Sequence, residues 1–269
     1  MLDGQALQQI GDMRAEFLRR AAFVREPHPE GVRKPALRLF AAEFASLCRV
    51  GRRPAGEVMP TSQPQTLMLV PGFGAHPRRM KPMADALAEA GHEVHDWGLG
   101  VNFGPTEENF AFLMRRVGSL ARAARRPVTL VGWSLGGLYS REIARRQPEN
   151  VARVITMGTP FSGDPRANNA WKAYQVITGH RVDAPPVECE LAIKPPVPTV
   201  ALWSPRDGVI DPRAAKGWPH ERDRAVAVRC THIGFASDPR AIAEVARQLE
   251  VAERRPSDAV YREATAQVA

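Results

Sequence analysis

From Thr66 onward, short uninterrupted apolar runs alternate with longer stretches of helical periodicity, and this alternation constrains the fold more than any other feature. Runs such as LMLV and VTLV are typical of strands that are buried on both faces of a sheet. Strands that alternate with helices through right-handed crossovers form a doubly wound sheet. We therefore predict an α/β fold with a mostly parallel sheet of about six strands and helices on both faces.

The periodicity also places the individual elements. Strands are predicted at 66–70, 93–96, 128–131, 154–157, 199–203 and 225–229, and helices at 79–90, 106–124, 135–146 and 239–253. One connection, 159–198, breaks this rhythm because it holds about forty residues between two strands. Connections of that length are usually functional or separately folded, so we predict that it forms a cap over the active site.

Two amphipathic helical patterns precede the sheet and make residues 1–60 a helical appendage. One runs from about Leu2 to Val24 and the other from about Pro35 to Val50, with a turn-rich break between them. Their apolar positions are Leu7, Ile10, Phe17, Leu18 and Ala21 in the first, and Leu37, Phe40, Phe44 and Leu47 in the second. The segment could be a lid, but helices that cover one sheet edge are slightly favoured. The main domain is predicted at 61–255, and 256–269 is a polar tail.

The charge is basic, with a formal net charge of +8. Such a charge can indicate nucleic acid or an anionic lipid surface as a partner. The arginines are nevertheless dispersed along helical stretches and are not interleaved with aromatic residues, so we expect no nucleic-acid partner. Nothing in the sequence indicates the oligomeric state.

Cysteine usage and hydropathy exclude several classes of protein. Cys48, Cys189 and Cys230 are an odd number without a CxxC pair, which argues against a disulfide framework and against a zinc site. No apolar run is long enough for a membrane span, and the first residues lack the apolar core of a signal peptide. We therefore expect a soluble, cytoplasmic protein, or one whose signal has been removed.

The motif Gly132-Trp133-Ser134-Leu135-Gly136 carries the strongest chemical signal. It follows the run VTLV and opens a predicted helix, which is the context that a GxSxG nucleophile turn requires. The serine sits at the apex of a sharp strand-to-helix turn, where small neighbours must let the chain pass. Ser134 is therefore predicted to be a catalytic nucleophile.

A nucleophilic serine needs a base, and the base needs an orienting acid. In sheets that carry this turn, the chain order is serine, acid, histidine. His232 follows the last predicted strand and is the preferred base, ahead of His180 and His220. The preferred acid is Asp207, in the loop after the strand TVALW. Its competitors are Asp211 and, more weakly, Asp164 and Asp183.

Two backbone amides are candidates for an oxyanion hole. One belongs to Leu135, directly after the nucleophile, and the other to Phe73, in the turn Val70-Pro71-Gly72-Phe73-Gly74. A phosphate-binding loop is the rival interpretation of PGFG, but no Lys-Ser/Thr pair follows it, so that interpretation is rejected.

Five blocks, LVPGFGAHP, LVGWSLGGLYSREIA, ITMGTPFSGDPRA, WSPRDGVID and THIGFASDP, together resemble the bacterial α/β-hydrolases of the lipase/esterase class. The resemblance extends from about Thr66 to Val251 and implies that Ser134, Asp207 and His232 form the triad. There is one departure: many lipases have His-Gly before the oxyanion residue, whereas this chain has Pro71-Gly72. The hydrogen bonding around this loop is therefore open.

The resemblance and the residues together imply hydrolysis of a small-molecule or lipid ester, with no metal or organic cofactor. The predicted acyl pocket is lined by Phe73, Trp133, Leu138, Trp171 and Tyr174. Three rival functions remain open. One is acyl transfer on the same scaffold, and another is a non-catalytic binding protein that has kept the fold. The third is a nucleic-acid or membrane-surface adaptor, which would bind anionic polymers with a steep salt dependence.

Overall fold

The computed structural model describes residues 4–47 and 58–251, so Cys48 and the predicted tail 256–269 lie outside the described residues. Its centre is a six-stranded parallel sheet with the strand order β2-β1-β3-β4-β5-β6. The strands are β1 (Thr66–Val70), β2 (Glu93–Asp96), β3 (Val128–Trp133), β4 (Val151–Met157), β5 (Thr199–Trp203) and β6 (Arg224–Ala227). The predicted parallel α/β architecture is confirmed.

Eight α-helices accompany the sheet in the described part of the chain. They are α1 (Gly4–Arg25), α2 (Leu37–Leu47), α3 (Lys81–Glu89), α4 (Glu107–Ala124), α5 (Leu135–Arg146), α6 (Trp171–Thr178), α7 (Pro212–Lys216) and α8 (Pro239–Glu250). Elements from α3 to α5 and from β1 to β5 lie close to their predicted positions. Predicted and observed ends differ most at β4, which begins three residues earlier at Val151, and at α8, which ends three residues earlier at Glu250.

The strands are buried on both faces because each face packs against its own helical layer. Leu67 and Leu69 of β1 share one apolar cluster with side chains of α3 and α8. The alternate residues Met68 and Val70 join a second cluster with side chains of α4 and α5. This alternation is the period-two geometry of a strand, and it accounts for the uninterrupted apolar runs in the sequence.

The strand order reverses at β1, which pairs with β2 on one side and with β3 on the other. The connections that leave β1 and β3 therefore run in opposite directions across the sheet. In doubly wound sheets, a crevice forms outside the carboxyl ends of the strands at this reversal point. Phe73 follows β1 and Ser134 follows β3, so both predicted site residues lie at this crevice.

Helix α5 approaches the sheet closely because Gly136 has no side chain. A Cβ at this position would lie 2.7 Å from the carbonyl carbon of Val70 and 2.8 Å from the carbonyl oxygen of Pro71. Both distances are below van der Waals contact. The glycine therefore lets the first turn of α5 pass directly beside the end of β1.

The two N-terminal helices follow the predicted helical patterns. Among the predicted apolar positions whose side chains are described, none is fully buried, and Ala21 and Phe40 are half-buried. Phe17 and Leu18 of α1, and Leu37 and Phe44 of α2, are mostly exposed. Arginines of α1 instead donate to carbonyl groups at the end of α6, and Glu43 is the one buried residue among positions 37–45 of α2, where burial is described. Helix α2 lies against the loops beyond β5 and β6.

The insertion 159–198 contains α6 and otherwise consists mainly of turns and irregular backbone. It is anchored from below by Arg141 of α5, a nearly fully buried guanidinium that donates to Leu191 O and Ile193 O. In the described ranges, no helix is both long and apolar enough to cross a membrane.

The close approach of α5 to β1 can be tested by Gly136→Ala. The added methyl group must push the helix away from β1, which should lower the free energy of unfolding by about 1–3 kcal/mol. Urea denaturation measures this change. Gly100→Ala is the control, because a Cβ there meets no atom within 4 Å. Equal midpoints for the two variants would contradict the proposed packing constraint.

Candidate active site

Ser134 occupies a strained turn between β3 and α5. Its φ of 54° and ψ of −121° lie in a region that non-glycine residues rarely adopt. The backbone is held there because the Ser134 N–H donates to Met157 O at the end of β4, at 2.8 Å. The predicted sharp turn is therefore present, and it presents a nearly buried serine above the carboxyl end of the sheet.

Asp207 and His232 form a buried pair beyond the ends of β5 and β6. The Asp207 Oδ2 atom lies 2.8 Å from His232 Nδ1, and both side chains are almost fully buried. The other oxygen of Asp207 accepts from the N–H groups of Val209 and Ile210, at 2.8 and 2.7 Å. These bonds fix the carboxylate, so the remaining oxygen can orient the imidazole.

The competing acids and histidines lie elsewhere. Asp211 caps α7 by accepting from Arg213 N at 2.8 Å. Asp164 pairs with Arg166, and Asp183 pairs with Arg181. His180 packs edge-on against Tyr174 in the insertion, and His220 is exposed. Among the residues predicted as acid or base, the structure thus brings together Asp207 and His232.

The surroundings of His232 determine its protonation. Burial lowers the pKa of the imidazole, while the charge and hydrogen bond of Asp207, together with the charge of Glu43, raise it. The net result is a pKa above the ordinary value of 6.5. The nearby Cys230 thiol stays neutral because burial raises its pKa strongly.

Trp133 was predicted to line the acyl pocket, but the structure gives it a different position. Its side chain lies in the apolar cluster formed with α3 and α8. The indole Nε1 donates to His232 O at 3.0 Å, and its ring centroid is 5.8 Å from that of His232. Trp133 therefore holds the histidine loop against the end of β3, next to Ser134.

The turn after β1 is fixed by Asn102, a residue that the sequence reasoning missed. Asn102 is fully buried, and its Nδ2 donates to Pro71 O at 2.8 Å. Its carbonyl oxygen accepts from Gly74 N at 2.7 Å, and its own N–H donates to Ala75 O. The open question raised by Pro71-Gly72 is thereby answered, since Asn102 supplies the hydrogen bonds that shape this loop.

The two candidate oxyanion donors lie on either side of the crevice. Leu135 is the first residue of α5, so its N–H has no intrahelical acceptor. In the turn after β1, Gly74 and Ala75 donate to Asn102 O and Gly72 O. The N–H of Phe73 has no acceptor among the residues that the structure describes.

A cavity of about 130 Å³ opens at Ser134. Its wall is predominantly apolar and is formed by the crevice, by α5 and by the insertion. The predicted pocket residues Phe73, Leu138, Trp171 and Tyr174 line it together with Ser134 and Leu135. The rings of Phe73 and Tyr174 are in edge-on contact, with centroids 5.1 Å apart, so α6 forms part of the roof over the turn after β1. Within ranges 4–47 and 58–251, no group of three or more His, Cys, Asp or Glu residues could hold a metal ion.

Sequence comparisons agree with this architecture. Residues 61–192 match the family model described as serine aminopeptidase, S33. A segment of 106 residues, 37% of this chain, is 29% identical to the biotin biosynthesis bifunctional protein BioHC of Teredinibacter turnerae. The aligned segment spans only 18% of the length of that relative.

Solved structures show the same fold. The monoacylglycerol lipase of Paleococcus ferrophilus superimposes with a TM-score of 0.51 at 18% identity, covering 71% of this chain and 95% of the lipase. Polyneuridine aldehyde esterase gives a TM-score of 0.50 at 13% identity, covering 70% of this chain and 100% of that chain. A pyrethroid hydrolase from Sphingobium faniae gives a TM-score of 0.50 at 16% identity, covering 73% of this chain and 100% of that chain. These similarities show that the chain has the α/β-hydrolase fold.

The pairing of His232 with Asp207 can be tested by Asp207→Asn. Loss of the negative charge should lower the pKa of His232 by about one to three pH units. An NMR titration of the imidazole protons measures this value. Asp211→Asn removes the same charge four residues away, at a helix cap, and should leave the His232 pKa unchanged. Equal effects of the two substitutions would refute the assignment of Asp207.

Proposed function

We propose that the protein is a serine hydrolase that cleaves carboxylic esters through an acyl-enzyme formed on Ser134. The observation that carries this proposal is a buried Asp207–His232 pair whose loop is bonded to Trp133, the neighbour in sequence of a strained serine that lines an apolar cavity. Strain at a single serine is retained where the surrounding structure holds it for function.

In the proposed reaction, Ser134 Oγ attacks the ester carbonyl carbon while His232 Nε2 takes the hydroxyl proton. Asp207 accepts from Nδ1–H and stabilises the imidazolium that forms. The tetrahedral intermediate collapses, and His232 returns the proton to the departing alkoxide. Water then repeats the sequence on the acyl-enzyme, which releases the carboxylic acid and restores the serine.

The developing oxyanion would be held by the N–H groups of Phe73 and Leu135. Each such donor contributes most in the transition state, because the negative charge is fully developed only there. Asn102 supports this arrangement by fixing the turn that carries Phe73. The positive end of the α5 dipole acts in the same direction.

The substrate class follows from the cavity. Apolar side chains such as Leu138, Trp171 and Tyr174 favour an aliphatic or aromatic acyl group over a charged one. The similar structures named as an esterase and a lipase support ester substrates for this chain. We therefore propose small-molecule or lipid esters as substrates, with no metal or organic cofactor.

The proposed nucleophile is tested by Ser134→Ala on a series of p-nitrophenyl esters from acetate to long acyl chains. The variant should lose about 10⁴-fold or more in kcat, because no other group can form the acyl-enzyme. Ser119→Ala, at an exposed position of α4, is the control and should retain wild-type rates. Full activity of Ser134→Ala would exclude the proposed mechanism, as would a wild-type protein that is inert on every ester.

The acyl pocket is tested separately by Leu138→Trp, which fills part of the cavity. The ratio of kcat/KM for the octanoyl ester to kcat/KM for the acetyl ester should fall roughly tenfold or more, since the larger acyl group no longer fits. Leu120→Trp makes the same change on α4, away from the cavity lining, and should leave the ratio unchanged. An unchanged ratio in Leu138→Trp would place the acyl group elsewhere.

A further inference from the structure

Glu43 of α2 is a buried carboxylate with an unusual set of partners. Only 2% of its surface is exposed. Its Oε1 atom accepts from Gly208 N at 2.8 Å and from His232 N at 2.7 Å, and its Oε2 atom accepts from Ile233 N at 3.0 Å. One carboxylate thus joins the loop that carries Asp207 to the loop that carries His232.

The burial pattern of α2 indicates that the hydrogen bonds of Glu43 help to hold this helix in place. Leu37 and Phe44 are 72% and 58% exposed, whereas the carboxylate between them is buried. Burying a charge is costly unless hydrogen bonds compensate for it, and three backbone donors provide that compensation. Leu39 and Phe40, on the same side of α2, are only half-buried, so the carboxylate lies deeper than the apolar side chains beside it.

Two further contacts hold α2 against the acid loop. A Cβ on Gly208 would lie 2.6 Å from Phe40 N, so the loop and the helix backbone are closely apposed. Asn169, in the insertion, donates from the same nitrogen to Pro35 O at 3.1 Å and to Gly208 O at 2.8 Å. The N-terminal segment, the insertion and the acid loop therefore meet at one point.

We propose that Glu43 is a positioning residue, which sets the separation of Asp207 and His232 and so makes α2 part of the active-site framework. This inference rests on the proposed function. It assigns a role to a segment outside the five sequence blocks and outside residues 61–192, which match the family model. Glu43 acts through the loop backbone and does not touch the substrate.

A second consequence concerns the charge near the base. The carboxylates that raise the pKa of His232 are Asp207, from the loop after β5, and Glu43, from α2. Trp133 of β3 packs beside the imidazole without a charge, and Cys230 stays neutral. Removing the charge of Glu43 should therefore lower the pKa of His232 and move the acid limb of the kcat/KM profile to lower pH.

Two variants separate position from charge. Glu43→Gln retains one acceptor oxygen, but its NH₂ group opposes a backbone N–H and its charge is lost. Glu43→Asp retains the charge but is one methylene too short to reach all three donors. We expect kcat per titrated serine to fall about 10- to 100-fold in both, with KM nearly unchanged. The acid limb should shift to lower pH in Glu43→Gln and remain in place in Glu43→Asp.

The control is Glu30→Gln, which removes the same charge from an exposed position of the N-terminal segment and should match the wild type. NMR titration of His232 in Glu43→Gln gives a readout independent of any substrate, so it decides the charge effect even if the proposed ester hydrolysis fails. The proposal would be overturned if Glu43→Gln lowered only the midpoint of unfolding, while kcat per titrated serine and the pKa of His232 kept their wild-type values.

Discussion

The strained backbone at Ser134 is the constraint on which the rest of the site depends. A residue with φ of 54° and ψ of −121° holds its geometry only where its surroundings leave no alternative. Here those surroundings are a hydrogen bond to β4 on one side and the close approach of α5 to β1 on the other. The sheet core therefore holds the strained turn, and the surrounding loops need only to bring Asp207 and His232 into position.

Those loops are held by single polar side chains, each of which links two segments distant in sequence. Asn102 fixes the turn after β1, Trp133 holds the histidine loop, and Glu43 joins the acid and histidine loops. Each bond is buried, so leaving a partner unsatisfied would cost about 1–3 kcal/mol. Hydrogen bonds can fix irregular loops because they are directional, so each one restricts the orientation of the loop backbone as well as its distance.

The sheet and the serine turn could be predicted from sequence because their signals are local. Apolar runs mark β1 and β3, and a glycine on each side of Trp133-Ser134-Leu135 marks the turn. The choice between Asp207 and Asp211 was not settled by sequence, because both follow the same strand and only the loop path decides which carboxylate faces His232. The pocket role of Trp133 was predicted wrongly, because its side chain projects to the α3 and α8 side of the sheet.

Glu43 shows why the remaining part of the site could not be predicted. The spacing of apolar residues in α2 indicated an inward apolar face, and hydrophobic burial usually decides the orientation of a helix. In this chain, three backbone N–H groups of two loops donate to the Glu43 carboxylate, and these bonds compensate for burying it. Such a site exists only once the loops are formed, so no pattern within 37–47 could reveal it. The proposed role of Glu43 therefore assigns α2 to the framework of the candidate site and not to a lid.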